Sequence, residues 1–405
     1  MPERIRIYRA KWVFPVSSDP IEDGAVVVSA NEIRDVGRFR EIETTWSGEV
    51  IDNGPGAILP AFVNAHTHLE LSVMRGRLSG EGGFAGWIRQ LIELRGKLSR
   101  EEIGKAIRDE LASMNKQGIR LVGDTGNTPA SFQPCRDARG IETVFFREYL
   151  GFNETRTKEA KNTLLKTGDL FDYDDSFHLA AHSPYTVSEE LFRFLKQWTN
   201  KHGKMLSVHL GESVEESEFL THGNGPLMDL LIERSAWNEK FEPPGKTPVS
   251  YLDRLGVLDR NTICVHLVHL SQEEMKTLAE RRVRCCLCPR SNLFLRVGFP
   301  NISGLLDHGI SPALGTDSPA SNDSLSMLDE MACVHKHEPG IPPEDILKMA
   351  TLNGACLLDR DYRLGSLAPG KDSEMIFIPV EEKTFRGALE FLMDNSKTVS
   401  VSWIR

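Results

Sequence analysis

No stretch of this sequence approaches the ~20 apolar residues that a membrane-crossing helix requires. The N-terminus, Met1-Pro2-Glu3-Arg4-Ile5-Arg6-Ile7-Tyr8, lacks an apolar core of signal-peptide length. Basic charge is also short: 48 Lys and Arg stand against 58 Asp and Glu, a net charge of −10. A phosphate-binding face needs the opposite balance, so no nucleic-acid partner is expected. The seven cysteines are odd in number, and three crowd into Cys285-Cys286-Leu287-Cys288, which reads as one buried strand. Neither a disulfide framework nor a zinc ribbon is expected, and reduced thiols in the cytoplasm are the simpler reading. Internal repeats and low-complexity segments are missing too. What is present is the composition of a soluble globular chain, 40% apolar and 26% charged over 405 residues. That length accommodates a barrel of about 250 residues and a smaller unit beside it.

Residues 1–56 read as short strands and turns, with β-rich Ile5-Arg6-Ile7-Tyr8 and Gly24-Ala25-Val26-Val27-Val28 around Glu22-Asp23-Gly24 turn chemistry. From residue 57 the pattern becomes strand, then helix, repeated. The apolar strand candidates are 58–63, 120–122, 143–146, 177–181, 206–208, 263–265, 283–287 and 312–314. Segments such as 101–116 and 189–202 carry apolar residues at helical spacing between them. Eight strands alternating with helices predict a (β/α)8 TIM-like barrel over residues 57–361. The tail returns to turns and short strands. Residues 1–56 plus 362–405 are therefore expected to build one small β-sandwich domain.

In such a barrel, chemistry sits at the C-terminal ends of the strands. The first strand runs into Asn64-Ala65-His66-Thr67-His68-Leu69-Glu70. Residues two apart on a strand point the same way, so His66 and His68 project together as half of a metal site. His182-Ser183-Pro184-Tyr185 ends strand four, His209-Leu210-Gly211-Glu212 strand five, His266-Leu267-Val268-His269 strand six and Gly315-Thr316-Asp317 strand eight. Imidazoles and a carboxylate at one barrel end suit Zn²⁺, Fe²⁺ or Mn²⁺ with a position left for water. His269 is expected to pack or bond locally, and His335-Lys336-His337 to lie on a solvated helical face.

The pattern resembles the amidohydrolase superfamily, in its deaminase and chlorohydrolase branch. The resemblance is carried by Val63-Asn64-Ala65-His66-Thr67-His68, the His209/Glu212 pair, Cys288-Pro289-Arg290-Ser291-Asn292, Leu314-Gly315-Thr316-Asp317-Ser318-Pro319-Ala320-Ser321-Asn322 and Leu367-Ala368-Pro369-Gly370-Lys371. It implies His66, His68, His209 and Asp317 as the ligands of one divalent metal per chain, with zinc favoured. Asp317 would also accept a proton from water, His266 would stand beside that water, and Glu212 would protonate a ring nitrogen. Leu179-Ala180-Ala181-His182 lacks the strand-four lysine that bridges two metals in binuclear relatives, so one metal is expected. His182 resembles a substrate-contacting histidine, or it caps its loop. A homodimer, common among relatives, is implied as well.

Glu70 and Arg75, on the loop after strand one, either bind substrate or pair with each other. Arg147 and Glu148, ending strand three, point at the same pocket by the barrel rule, and Ser321 joins them as a substrate-binding candidate. A metal-activated water and a protonating Glu suit hydrolytic deamination of an aminopurine. The run His66-Thr67-His68-Leu69-Glu70-Leu71-Ser72 looks most like the aminodeoxyfutalosine deaminases of menaquinone biosynthesis. S-adenosylhomocysteine and methylthioadenosine deaminases are the near alternative. A triazine-type chlorohydrolase would use the same water, and an inactive binding protein would have lost a ligand or the acid.

Overall fold

The computed structural model describes residues 4–167 and 175–404. Met1 to Glu3 of the N-terminal segment read above, and Arg405 at the other end, lie outside the described residues. Among the described residues, fifteen strands form two sheets. The first sheet joins the chain ends: β1 (Arg6–Val13), β2 (Ile21–Ser29), β3 (Glu32–Arg38), β4 (Glu49–Asp52), β5 (Gly56–Pro60), β14 (Met375–Pro379) and β15 (Ser402–Ile404). The second is the eight-stranded parallel barrel. It holds β6 (Phe62–Thr67), β7 (Ile119–Gly126), β8 (Glu142–Tyr149), β9 (Phe177–Ala181), β10 (Leu206–Leu210), β11 (Thr262–His266), β12 (Arg284–Leu287) and β13 (Ala313–Leu314), in sequence order.

The apolar run expected to be one strand at 58–63 is two. Residues up to Pro60 pair antiparallel with β14 of the end sheet, whereas Phe62 onward pairs with β7 of the barrel. Hydrophobic content does not reveal the break, because both segments are buried in full. The tail also holds more than strands: a helix, Phe385–Asp394, capped by Thr384, buries Ala388, Leu389, Leu392 and Met393.

Inside the barrel, Val63, Leu121, Val144, Ile263, Cys286 and Ala313 meet in a closed apolar core. The surrounding helices present one apolar stripe each. Glu189–His202 is representative: Ser188 caps its start, Gly203 in the left-handed region ends it, and Leu191, Phe192, Leu195 and Trp198 are buried. Burying such a side chain stabilises the fold by roughly 1.5–3 kcal/mol. Between β13 and β6 the barrel is closed by other bonds. Thr316 N and Asp317 N donate to His66 O at 3.0 and 3.1 Å, and Asn64 Nδ2 donates to Thr316 Oγ1 at 2.7 Å. Gly315 makes this approach feasible, since a Cβ there would stand 2.8 Å from the His66 backbone. No helix among the described residues is long and apolar enough to cross a membrane.

Candidate metal centre and substrate cavity

His66 is the penultimate residue of β6, and His68, just past the strand, leads into the 3₁₀ turn Leu69–Met74. Asp124, at the end of β7, accepts the Leu69 N–H at 2.9 Å and fixes where that turn begins. The rings of His66, His68 and His209 then converge. Nε2 of His209 lies 3.3 Å from Nε2 of His66 and 3.3 Å from Nε2 of His68. A tetrahedral ion with metal–nitrogen bonds of about 2.0–2.1 Å has nitrogen–nitrogen edges of roughly 3.3–3.4 Å. Two of the three edges have that spacing, and all three ligand atoms lie within 4.8 Å of one another, a group compact enough for one shared cation. Burial drives His66 and His209 well below the usual imidazole range, and neighbouring imidazoles push the same way. Both rings are therefore neutral, with lone pairs free to ligate.

Asp317 completes the group. Its Oδ1 stands 3.6 Å from His68 Nε2 and 3.9 Å from His66 Nε2. Its Oδ2 accepts hydrogen bonds from Ser291 and Ser321, both at 2.7 Å. Burial alone would raise this carboxyl, but the adjacent imidazoles and the Ser291 bond outweigh it and hold it below the usual range. The backbone helps aim the side chains: His266 and Asp317 sit at positive φ, 80° and 54°, where non-glycine residues are uncommon.

His266 ends β11. Asn292 Nδ2 donates to its Nδ1 at 3.0 Å, which leaves Nε2 to face Glu212 Oε1 at 3.6 Å. Burial, then the charges of Asp317 and Glu216, push the Glu212 carboxyl well above its usual range, which favours its protonated form. Burial lowers His266 to about 4. Glu216 accepts the Glu212 backbone N–H at 3.0 Å, which ties the loop to the helix Val214–His222.

These groups open on a cavity of about 510 Å³, within the usual range for small-molecule sites. Its inner end is polar, with His68, His182, His209, Glu212 and Asp317. Its outer half is apolar, walled by Phe84, Trp87 and Leu91 of the helix Gly83–Arg95 and by Leu230 and Leu231 across from them.

The structure brings His182 and Glu148 to the cavity wall. His182 Nδ1 is bonded to the hydroxyls of Ser183 and Thr186 at 3.0 and 2.7 Å. It sets Glu70, Arg75, Arg147 and Ser321 behind the wall. Glu70 is buried in bonds to Thr128 and an ion pair with Arg95, and Arg75 pairs with Glu110 rather than with Glu70. Arg147 and Glu148 are neighbours on one strand and must face opposite sides; Glu148 faces in, and Arg147 lies over the Tyr149 ring. Ser321 spends its hydroxyl on Asp317. His269 bonds the Val297 carbonyl at 2.7 Å, away from the centre. Arg95, Asn127, Phe152, Arg156 and Arg234 also line the cavity. No spacing pattern in the sequence pointed to them.

The sequence signature of the Amidohydrolase family matches residues 57–401. The 5'-deoxyadenosine deaminase of Methanothermobacter thermautotrophicus is 29% identical over 392 residues, 88% of this chain and 81% of that protein. A 5-methylthioadenosine/S-adenosylhomocysteine deaminase of Syntrophomonas wolfei is 29% identical over 384 residues, 91% of this chain and 84% of the other. Among solved structures, Helicobacter pylori aminofutalosine deaminase in complex with methylthio-coformycin superposes with a TM-score of 0.84. It is 25% identical and covers 96% of each chain. An adenosine deaminase from Xanthomonas campestris, with bound zinc, shares the fold at a TM-score of 0.78 and 23% identity, over 96% of this chain and 88% of that one. With its barrel, its strand-end histidines and this match over most of its length, the chain belongs to the amidohydrolase family.

Proposed function

We propose that this protein hydrolyses the exocyclic amine of a 6-aminopurine nucleoside, with aminodeoxyfutalosine as the substrate and one zinc ion as the metal. One observation carries the reading. Two carboxyls, Glu212 raised by burial and Asp317 held low by its imidazole neighbours, face the same cavity as three convergent imidazoles. The names of the relatives, deaminases of adenosine-type nucleosides, support the same class. The finer choice of aminodeoxyfutalosine rests on the loop His66 to Ser72.

His66, His68, His209 and Asp317 would hold the metal. A divalent ion there supplies Lewis acidity that draws the pKa of water toward neutrality. The remaining work belongs to side chains. Asp317 takes a proton from the attacking water as its oxygen bonds to C6 of the purine. Glu212 delivers its proton to the adjacent ring nitrogen, which accepts the electron pair displaced from the ring. His266, turned by Asn292, offers its Nε2 hydrogen to the attacking oxygen. Proton return through the two carboxyls converts the amine to a leaving group, the C6–N bond breaks, and ammonia departs as the carbonyl forms.

The test is ammonia release from aminodeoxyfutalosine, methylthioadenosine, S-adenosylhomocysteine, 5'-deoxyadenosine and adenosine under one condition. The highest kcat/KM is expected for aminodeoxyfutalosine. A higher value for another adenine nucleoside would overturn the finer assignment alone. Silence with all of them would overturn the class.

A further inference from the structure

Glu148, the penultimate residue of β8, has one carboxylate oxygen accounted for and one not. Its Oε2 accepts a hydrogen bond from Asn127, whereas Oε1 is buried with no hydrogen-bond partner in the structure. That open oxygen faces Nδ1 of His209 at 3.7 Å, an ion-pair rather than a hydrogen-bond distance. His209 therefore has its Nε2 among the converging imidazoles and its Nδ1 toward a carboxylate. A carboxylate on that side favours the tautomer with hydrogen on Nδ1, leaves the Nε2 lone pair for the ion, and makes the ring a stronger ligand.

Glu148 is itself held by a continuous chain of polar bonds. Asn127 Oδ1 accepts from Arg95 Nη1 at 2.6 Å, and the other arm of that guanidinium pairs with Glu70. Glu70 is fixed from behind by Thr128, whose N–H and hydroxyl donate to its Oε1 at 2.6 and 2.5 Å. The chain crosses four elements: the turn after β6, the C-terminal end of the helix Gly83–Arg95, the loop after β7, and β8. Buried charged groups are costly unless fully bonded. Here each bond satisfies one member and aims the next, until the final carboxylate oxygen is left over at His209.

We infer that Glu148 is a positioning residue for His209, and that Glu70, Arg95 and Asn127 form the chain that aims it. The inference rests on the reading of His209 as a metal ligand. It gives Glu70 a role without any contact to substrate, and it ties the metal centre to the helix that walls the apolar half of the cavity.

The experiment is zinc affinity by competition with a chromophoric chelator, with zinc-to-protein stoichiometry and with KM measured at saturating zinc. The wild-type protein is expected to bind one zinc per chain. Glu148→Gln should bind it roughly 10- to 100-fold more weakly, with KM within about threefold of wild type. Asn127→Ala, which spares every charged group, should shift affinity the same way by a smaller factor. The melting temperature of both metal-free variants, expected near that of the metal-free parent, separates a positioning effect from unfolding. Unchanged zinc affinity with a raised KM would make Glu148 a substrate contact and overturn the proposal. Two zinc ions per chain, reduced to one in Glu148→Gln, would make Glu148 and His182 ligands of a second ion and overturn it too. His209→Asn keeps the two failures apart: zinc held there at wild-type affinity would reject the ligand reading itself.

Discussion

Replacing Glu212 by glutamine removes a proton and almost nothing else. The side chain keeps its volume in a fully buried site, and the loop is held through the backbone N–H that Glu216 accepts at 3.0 Å, which does not depend on the side chain. Substrate affinity should therefore stay within about threefold. Turnover should not. A positioned general acid contributes about 10²- to 10⁴-fold, or roughly 3–5 kcal/mol of barrier, and an amide cannot deliver that proton. The assay is steady-state ammonia release with substrate binding measured separately. The wild-type rate should also fall on the alkaline side, as pH rises through the elevated Glu212 pKa and the acid form is lost; in the glutamine variant that limb should vanish. Turnover within tenfold of wild type, or an unchanged alkaline limb, would refute the assignment of the proton donor.

Three further outcomes follow from the geometry. Ser291→Ala removes one of two hydroxyls that hold Asp317 Oδ2. A hydrogen bond to a charged group is worth ~1.5–3 kcal/mol, so zinc affinity should drop by about tenfold or more in a chelator competition, and an unchanged affinity would contradict the role. Glu216 is buried and raised to about 8, chiefly by desolvation. A carboxyl raised on folding adds stability that is complete below its unfolded value and is lost as pH climbs through its folded value. Glu216→Gln should thus flatten the fall in melting temperature between about pH 4.5 and 8, and an unaltered slope would speak against it. Phe152 packs against Phe219, Trp237 and Phe241 with ring centroids 5.0–6.0 Å apart. Phe152→Ala should cost about 3–5 kcal/mol in urea unfolding, and a loss under ~1 kcal/mol would show that the cluster collapses around the gap.

How far the sequence could be read depended on whether a property repeats locally. Buried parallel strands are apolar throughout, and the helices between them keep a 3.6-residue stripe, so the barrel was legible from its eight apolar segments. The same uniformity hid the break between Pro60 and Phe62, because a segment buried in either sheet has the same composition. His66 and His68 were legible as a pair because strand alternation puts them on one side. That alternation also forbids Arg147 and Glu148 from sharing a face, a constraint the barrel rule alone overlooks.

Glu70 was ambiguous for a different reason. Its partners Arg95 and Thr128 lie 25 and 58 residues away, and no local pattern links them. The tail helix Phe385–Asp394 carried a readable signal, with apolar residues one turn apart after a capping Thr, although Gly387 in its first turn weakens it. The hydroxyls on Asp317 and the Asn292 bond to His266 needed the fold, since Ser291, in the helix Pro289–Leu295 after β12, and Ser321, in the turn after β13, reach one carboxylate from positions 30 residues apart.

The most direct test of the account is ammonia release by metal-stripped protein titrated with zinc, using an adenine nucleoside as substrate. No release is expected from the stripped protein, and full activity at one zinc per chain. Release that persists without metal, or none at any zinc level from any adenine nucleoside, would contradict it.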